Sequence, residues 1–279
     1  MPVRRHADPD AFLAAAAPAL ARSPTTTAAF TAWVVSMKAS PDGGSDAYLA
    51  TYAHDGRYGA AMRRRDGPVV FENADPMAAE AFAHDLAAEM PRLSGIVGAL
   101  PACEAFARAW RERTGRLHSL RFHLRHHMLT AVAAVPHAAG TPRVAAPADC
   151  DWLIEAHHAF MVEVGVTENP ERIMAAVPRR IDNGHYWIWE DEGATALAAW
   201  TPAGDDAARI APVYTCPDAR RRGYATALVA ALAHNLLAHG RRRLFLLTDV
   251  ANPTSNAIYR RIGFRADADI YHFDFVDAA

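Results

Sequence analysis

Between residues 219 and 232 the chain reads "ARRRGYATALVAAL", three arginines and a glycine standing directly before an alanine- and leucine-rich run. That pattern suits an anion. The first turn of a helix has backbone N–H groups without intrahelical partners and carries the positive end of the helix dipole. Gly223 lets the backbone approach a ligand with no Cβ in the way. Ala225 and Thr226 keep the first turn slim, the Thr226 hydroxyl adds a donor, and Arg220, Arg221 and Arg222 supply charge. The implied ligand is a phosphate or pyrophosphate, held between a strand ending at Thr215 and a helix starting at Tyr224. No GxxxxGK[ST] sequence is present, so nucleoside triphosphate hydrolysis has no support.

Other polar clusters are less suited to chemistry. In "LHSLRFHLRHHML", residues 117–129, strand alternation puts Leu120, Phe122, Leu124 and His126 on one face. Arg121, His123, Arg125 and His127 share the other, where the arginines repel a cation, so a polar strand face is expected rather than a metal site. His157 and His158 are adjacent on a helix and point apart. Cys103, Cys150 and Cys216 are far apart and form no CxxC pair, which suggests neither a zinc site nor a disulfide framework.

These residues need a scaffold. A stretch rich in proline, alanine and glycine at 135–150 separates two halves of similar size, with the boundary placed near residue 140. In the second half "RVAA" reads as a short strand, and Asp149 or Asp151 as the cap of a helix with Trp152, Leu153, Ala156, Phe160 and Val164 on one face. Asn169–Pro170 is a helix start. "HYWIWE" and "TALAAW" read as strands around a turn at 191–193, and "RIAPVYT" as another. A helix from Tyr224 carries Leu228, Val229, Leu232 and Leu236 on one face and stops at His239–Gly240. "RLFLLTDV" is apolar throughout, as a strand buried on both faces should be. "NPTSN" opens a short helix ending at Gly263, and "DIYHFDFV" alternates as a final strand.

In the first half the pattern predicts helices near 8–22, 24–37, 77–90 and 101–113. Strands are expected near 47–53, 58–65 and 69–73, at "SGIVGAL", and as a pair over 117–134. The strand–helix–strand–strand ending parallels the end of the second half, a weak sign of internal duplication. The whole is an α/β chain in which helices cross over a mixed sheet.

Composition narrows the function. Half of the 279 residues are apolar and the net charge is −2, so the chain has material for a core and lacks the basic excess of a nucleic-acid binder. No apolar run reaches the roughly 18 to 20 residues that span a bilayer. Asp8 and Asp10 interrupt the alanine-rich start, which reads as an amphipathic helix rather than a signal peptide. A cytoplasmic location, no membrane and no nucleic-acid partner are the expectations.

Two motifs now carry a resemblance. Arg220-x-x-Gly223-x-Ala225, after a strand and opening a helix, resembles the (Q/R)xxGx(G/A) signature of the GNAT N-acetyltransferases. "TDVANPTSNAIYRRIGF", residues 248–264, is similar to their second cofactor motif, with Asn252, Ser255, Tyr259 and the pair Gly263–Phe264 in register. The resemblance covers about residues 143–276. It implies the GNAT fold, with residues 141–279 as the catalytic domain and residues 1–140, which have no cofactor signature, as a degenerate copy in tandem.

The resemblance also implies roles. The strand bearing Val213, Tyr214 and Thr215 would splay from its neighbour and pair with the pantetheine arm of acetyl-CoA. The amides from Arg221 through Tyr224 to Thr226 would cradle the pyrophosphate, with Asn252, Ser255 and Asn256 bordering the cofactor. A primary amine would attack the acetyl group directly through a tetrahedral intermediate, its oxyanion held by the Val213 or Tyr214 N–H. Tyr259 would serve as acid to the leaving thiol. Many relatives carry a glutamate on the strand before the loop, but "ARIAPVYT" has no carboxylate. Glu163, Asp249 or a water chain is left as the base. The acceptor would be a small-molecule amine, the protein a monomer or homodimer. An acyl-CoA-binding sensor without turnover is the alternative.

Overall fold

The computed structural model describes residues 2–22, 26–27, 30–31, 33–34, 37, 47–64, 67–90, 92–166 and 169–277. The helix expected over 24–37 lies in part outside them; its described residues are helical, and Phe30, Val34 and Met37 are buried. The chain groups into two compact units. One is Met1–His126, Leu247–Asn252 and Asp267–Ala279; the other is His127–Leu246 and Pro253–Ala266.

The first unit holds strands β1 Val3–Arg5, β2 Tyr48–His54, β3 Arg57–Arg63, β4 Val69–Glu72, β5 Gly95–Gly98 and β6 Leu117–Leu129, the last as far as His126. Helices α1 Pro9–Leu20, α2 Pro76–Ala87 and α3 Leu100–Thr114 lie between them in sequence. Asp8 and Asp75 cap α1 and α2 through the amides of Ala11 and Ala78 at 2.8 and 2.9 Å, each just before a proline whose missing N–H is no loss there. The chain's last strand, β12 Arg265–Val276, belongs here from Asp267 onward, and the sheet order is β1-β2-β3-β4-β5-β12-β6.

β12 is structural for this unit. It pairs antiparallel with β5 through Tyr271↔Gly98 to Asp274↔Gly95, and a Cβ on Gly95 would lie 2.3 Å from the Phe273 carbonyl oxygen. Its Phe275 closes an aromatic row, 5.5 Å from Trp110, which is 5.5 Å from Phe106, which is 5.3 Å from Phe71. The expected strand pair over 117–134 is instead the single strand β6. Its polar face meets acids of β12: Asp269 accepts from Arg125 at 2.7 and 2.8 Å and lies 3.0 Å from His123, and Arg121 reaches Asp274 at 3.3 Å. Arg125 first, then His123, hold Asp269 down at about 2.

The second unit contains β7 Thr141–Val144, α4 Cys150–Glu163, α5 Pro170–Asp182, β8 Tyr186–Glu190, β9 Ala194–Pro202, β10 Ala207–Thr215, α6 Tyr224–Ala238, β11 Arg243–Asp249 as far as Leu246, and α7 Pro253–Ile262. Its strand order is β11-β10-β9-β8-β7, antiparallel except for the β10–β11 pair that α6 connects. Strand alternation divides the core. Ala198, Ala208, Ile210 and Leu244 pack with Leu228, Val229, Leu232 and Leu236 of α6. Tyr186, Ile188 and Leu197 pack with Leu153 of α4 and Ile173, Val177 and Ile181 of α5. Asn169 caps α5, accepting from the Glu171 amide at 2.9 Å. Asp149 stands at the N-cap of α4 but makes no side-chain capping bond, because Arg143 takes its carboxylate at 2.6 and 2.8 Å and the Ala146 amide donates to it at 2.7 Å.

Candidate functional site

The arginine loop has the backbone that anion binding requires. Gly223 is the N-cap of α6 with φ +88°, and Arg221 also has positive φ, at +64°. The left-handed region disfavours a residue with a Cβ by roughly 1–2 kcal/mol, so Arg221 marks a bend kept against local preference. A Cβ on Gly223 would meet nothing closer than Ala138 Cβ at 3.8 Å, so the space above it is open. No side chain caps the helix, and its first i→i−4 bond is Ala227 N–H to the Gly223 carbonyl at 3.0 Å. The amides of Gly223, Tyr224, Ala225 and Thr226 therefore precede the helical ladder.

The arginines do different work. Arg220 folds back on the strand end, donating from Nε to the Thr215 carbonyl at 3.0 Å and from Nη2 to Glu163 Oε2 at 2.6 Å, with its guanidinium 5.6 Å from the Tyr214 ring centre. Arg222 interacts first with the Tyr224 hydroxyl and then with Asp191 and Glu192 of the β8–β9 turn. Tyr224 donates to Asp191 and its ring stacks on Trp189 at 6.1 Å, which ties the helix start to that turn. Arg221 is exposed, with no hydrogen bond or ion pair among the described residues. Arg220 is thus committed to the strand end and to Glu163, while Arg221 and Arg222 stay exposed.

β10 offers the second half of the site. Its parallel ladder with β11 covers Ala207↔Arg243, Ala208↔Leu244 and Arg209↔Phe245. Beyond that rung it keeps its other neighbour, with Val213↔Ala198, Tyr214↔Leu197 and Thr215↔Ala196 on β9. A register shift between Ile210 and Val213 bulges the strand at Pro212, which has no N–H. The backbone of 210–215 runs on past the β11 ladder, as a strand does when its open edge receives an extended ligand.

The acid and base candidates lie on separate elements. Tyr259 lies in α7, 8% exposed, edge-on to Phe264 at 5.7 Å, and burial pushes its phenol well above the usual range. It keeps its proton at neutral pH. Glu163, in the last turn of α4, is the partner of Arg220. Asp249 and Asn252 fall on the turn that groups with the first unit, where Asp249 accepts from the Ala251 amide at 2.8 Å and the Asn252 amide donates to the Asp249 carbonyl at 3.0 Å. Ser255 and Asn256 are partly buried in the first turns of α7. No group of three or more His, Cys, Asp or Glu suited to a metal occurs among the described residues. Nor is any helix among them long and apolar enough to cross a membrane.

One polar cluster was not foreseen from the sequence. His157 of α4 is buried, 2.6 Å from the Tyr186 hydroxyl, and burial, then Arg180, pull it down to about 4. Arg180 of α5 lies 4.6 Å from the Tyr186 ring centre and donates to the carbonyls of Ala211 and Trp200 at 3.2 and 3.4 Å. Arg209 of β10 is near enough to feel its charge. The signal available in the sequence was an arginine inside the otherwise apolar strand "ARIAPVYT".

Comparison with known proteins gives this arrangement a context. The FR47-like protein family matches residues 188–273, which include β10, the arginine loop, α6 and α7. A GNAT-family acetyltransferase from Colwellia psychrerythraea aligns over 99% of this chain and 100% of its own at 10% identity, TM-score 0.66. A GCN5-related N-acetyltransferase from Sphaerobacter thermophilus aligns over 99% and 98% at 16% identity, TM-score 0.65. A Drosophila protein aligns over 100% and 99% at 14% identity, TM-score 0.69. No curated protein is detectably similar in sequence. The chain has the mixed α/β GNAT N-acetyltransferase fold along its length, with an FR47-like region in its C-terminal part.

Proposed function

We propose that this chain, which has the GNAT N-acetyltransferase fold, transfers an acetyl group from acetyl-CoA to a primary amine of a small molecule. The observation that carries the reading is the end of the β10–β11 ladder at Arg209↔Phe245 beside a helix opened by Gly223 at φ +88°. An open strand edge followed by uncapped amides suits a donor made of an amide-bearing arm and a pyrophosphate. The open space above Gly223 and the exposed Arg221 fit that group.

When bound, acetyl-CoA supplies an activated acyl group and a thiol leaving group. Arg221 and the amides from Arg221 to Thr226 hold the pyrophosphate; the open edge at Val213, Tyr214 and Thr215 aligns the arm. Ser255 and Asn256, in the first turns of α7, border it. The Val213 or Tyr214 N–H holds the charge that develops on the carbonyl oxygen. Tyr259, kept protonated by its burial, donates to the departing sulfur. Glu163 orders Arg220 and Asp249 orders its turn, so the acceptor loses its proton to water rather than to either carboxylate.

The first half, residues 1–140, has no second cofactor signature; we assign it as a degenerate copy that binds no coenzyme A. The competing reading is an acyl-CoA sensor without turnover, favoured by the lack of a carboxylate on β10. Thiol release from acetyl-CoA over a panel of amines decides between them. Acceptor-dependent release that falls about tenfold or more in kcat in Tyr259→Phe, with cofactor affinity preserved, is expected for the enzyme. Cofactor binding with no release for any amine would leave the sensor.

A further inference from the structure

Arg209 sits on the last rung of the β10–β11 ladder, directly before the bulge that starts after Ile210. Its side chain has no hydrogen bond and no ion pair among the described residues, and its Nε is sealed from solvent. The residue nonetheless keeps some exposure, which leaves a route to it. The charge that acts on it is a second cation, Arg180, and burial followed by that repulsion brings Arg209 down to about 10. Asp206, three residues before it in sequence, is committed to Arg243 at 2.8 Å.

The two arginines differ in a telling way. Arg180 is anchored on the Ala211 and Trp200 carbonyls and on the Tyr186 ring, as a structural arginine is. Arg209 has no such anchorage. A half-buried cation whose Nε is sealed from water without a partner costs stability, and an apolar side chain of similar length would fold at least as well there. An unengaged guanidinium of this kind is the group a ligand would complete. The guanidinium fork matches planar oxyanions, and a single unengaged fork suits a carboxylate, whereas the phosphate-type cradle at α6 uses a run of amides.

We infer that the acceptor amine carries a carboxylate, which pairs with the Arg209 guanidinium while Arg180 keeps that end of the site electropositive. This rests on the acetyl-transfer reading above and names its substrate class, an amino-acid-like amine.

The test begins with calorimetry of acetyl-CoA on the full chain, because absence of cofactor binding would sink the acetyl-transfer reading itself. With binding in hand, thiol release is measured for α-, β- and γ-amino acids, their carboxamides and O-phosphoethanolamine. At least one acid is expected to exceed its carboxamide by about tenfold in kcat/KM. Arg209→Gln should remove that preference mainly through KM, and Arg209→Lys should restore part of it. Carboxamides as good as acids, preference for the phosphate, or an indifferent Arg209→Gln would overturn the inference while leaving acetyl transfer intact. If no amine turns over, melting with saturating coenzyme A gives the second readout: acids should raise Tm in the parent and not in Arg209→Gln, and no rise overturns the inference. Arg209→Gln should melt no lower than the parent without ligand; a marked fall would make Arg209 structural and end the proposal.

Discussion

Glu163 Oε2 lies 2.6 Å from Arg220 Nη2, so the last turn of α4 holds the first arginine of the anion loop. Their side chains are 52% and 40% exposed, and ion pairs in such settings contribute about 0–1 kcal/mol. The pair orders the loop at a strength that a bound anion could displace. Glu163→Gln should leave acetyl-CoA affinity within about threefold and the acidic limb of the kcat/KM profile in place. Loss of that limb together with about a hundredfold fall in kcat would instead make Glu163 the base.

His157 predicts a pH dependence of stability. Its ring is neutral against the Tyr186 hydroxyl and is held from 6.5 down to about 4. Between those values the unfolded chain binds the proton and the folded chain does not, so stability is full above pH 6.5 and declines as pH falls toward 4. The total is on the order of 3 kcal/mol. Urea midpoints from pH 7 to 4 should fall less steeply for His157→Gln than for the parent; parallel curves would contradict this.

Gly95 predicts a packing limit in the first unit. A Cβ there would press on the backbone carbonyl oxygen of Phe273 at 2.3 Å, at the Asp274↔Gly95 pair. Gly95→Ala should lower stability by about 1–3 kcal/mol, read as a reduced denaturant midpoint. An unchanged midpoint would mean that β5 and β12 separate without loss.

Much of the second unit was legible because its signals are local. Asn169–Pro170, the apolar face of α6 and the unbroken strand "RLFLLTDV" each fix their own element. The pairing of β12 with β5 was not legible, since "DIYHFDFV" alternates correctly whichever sheet it joins. The missing capping bond at Asp149 was not legible for a related reason: Arg143, six residues away in sequence, competes for the same carboxylate. Within the candidate site, the backbone parts could be read from Gly223 and its neighbours, but the commitments of individual arginines could not. The sequence "RRR" does not reveal that Glu163 takes Arg220 and leaves Arg221 exposed. Arg209 stands out in "ARIAPVYT" as the one charged side chain, yet its lack of a partner is visible only in the fold.

The most direct measurement is calorimetric titration of acetyl-CoA into the purified chain and into Gly223→Val, with no acceptor present. One saturable site per chain is expected, weakened about tenfold or more in the variant, where a Cβ at φ +88° strains the loop and enters the open space above it. No binding at about 1 mM cofactor, or equal affinity in the variant, would contradict it.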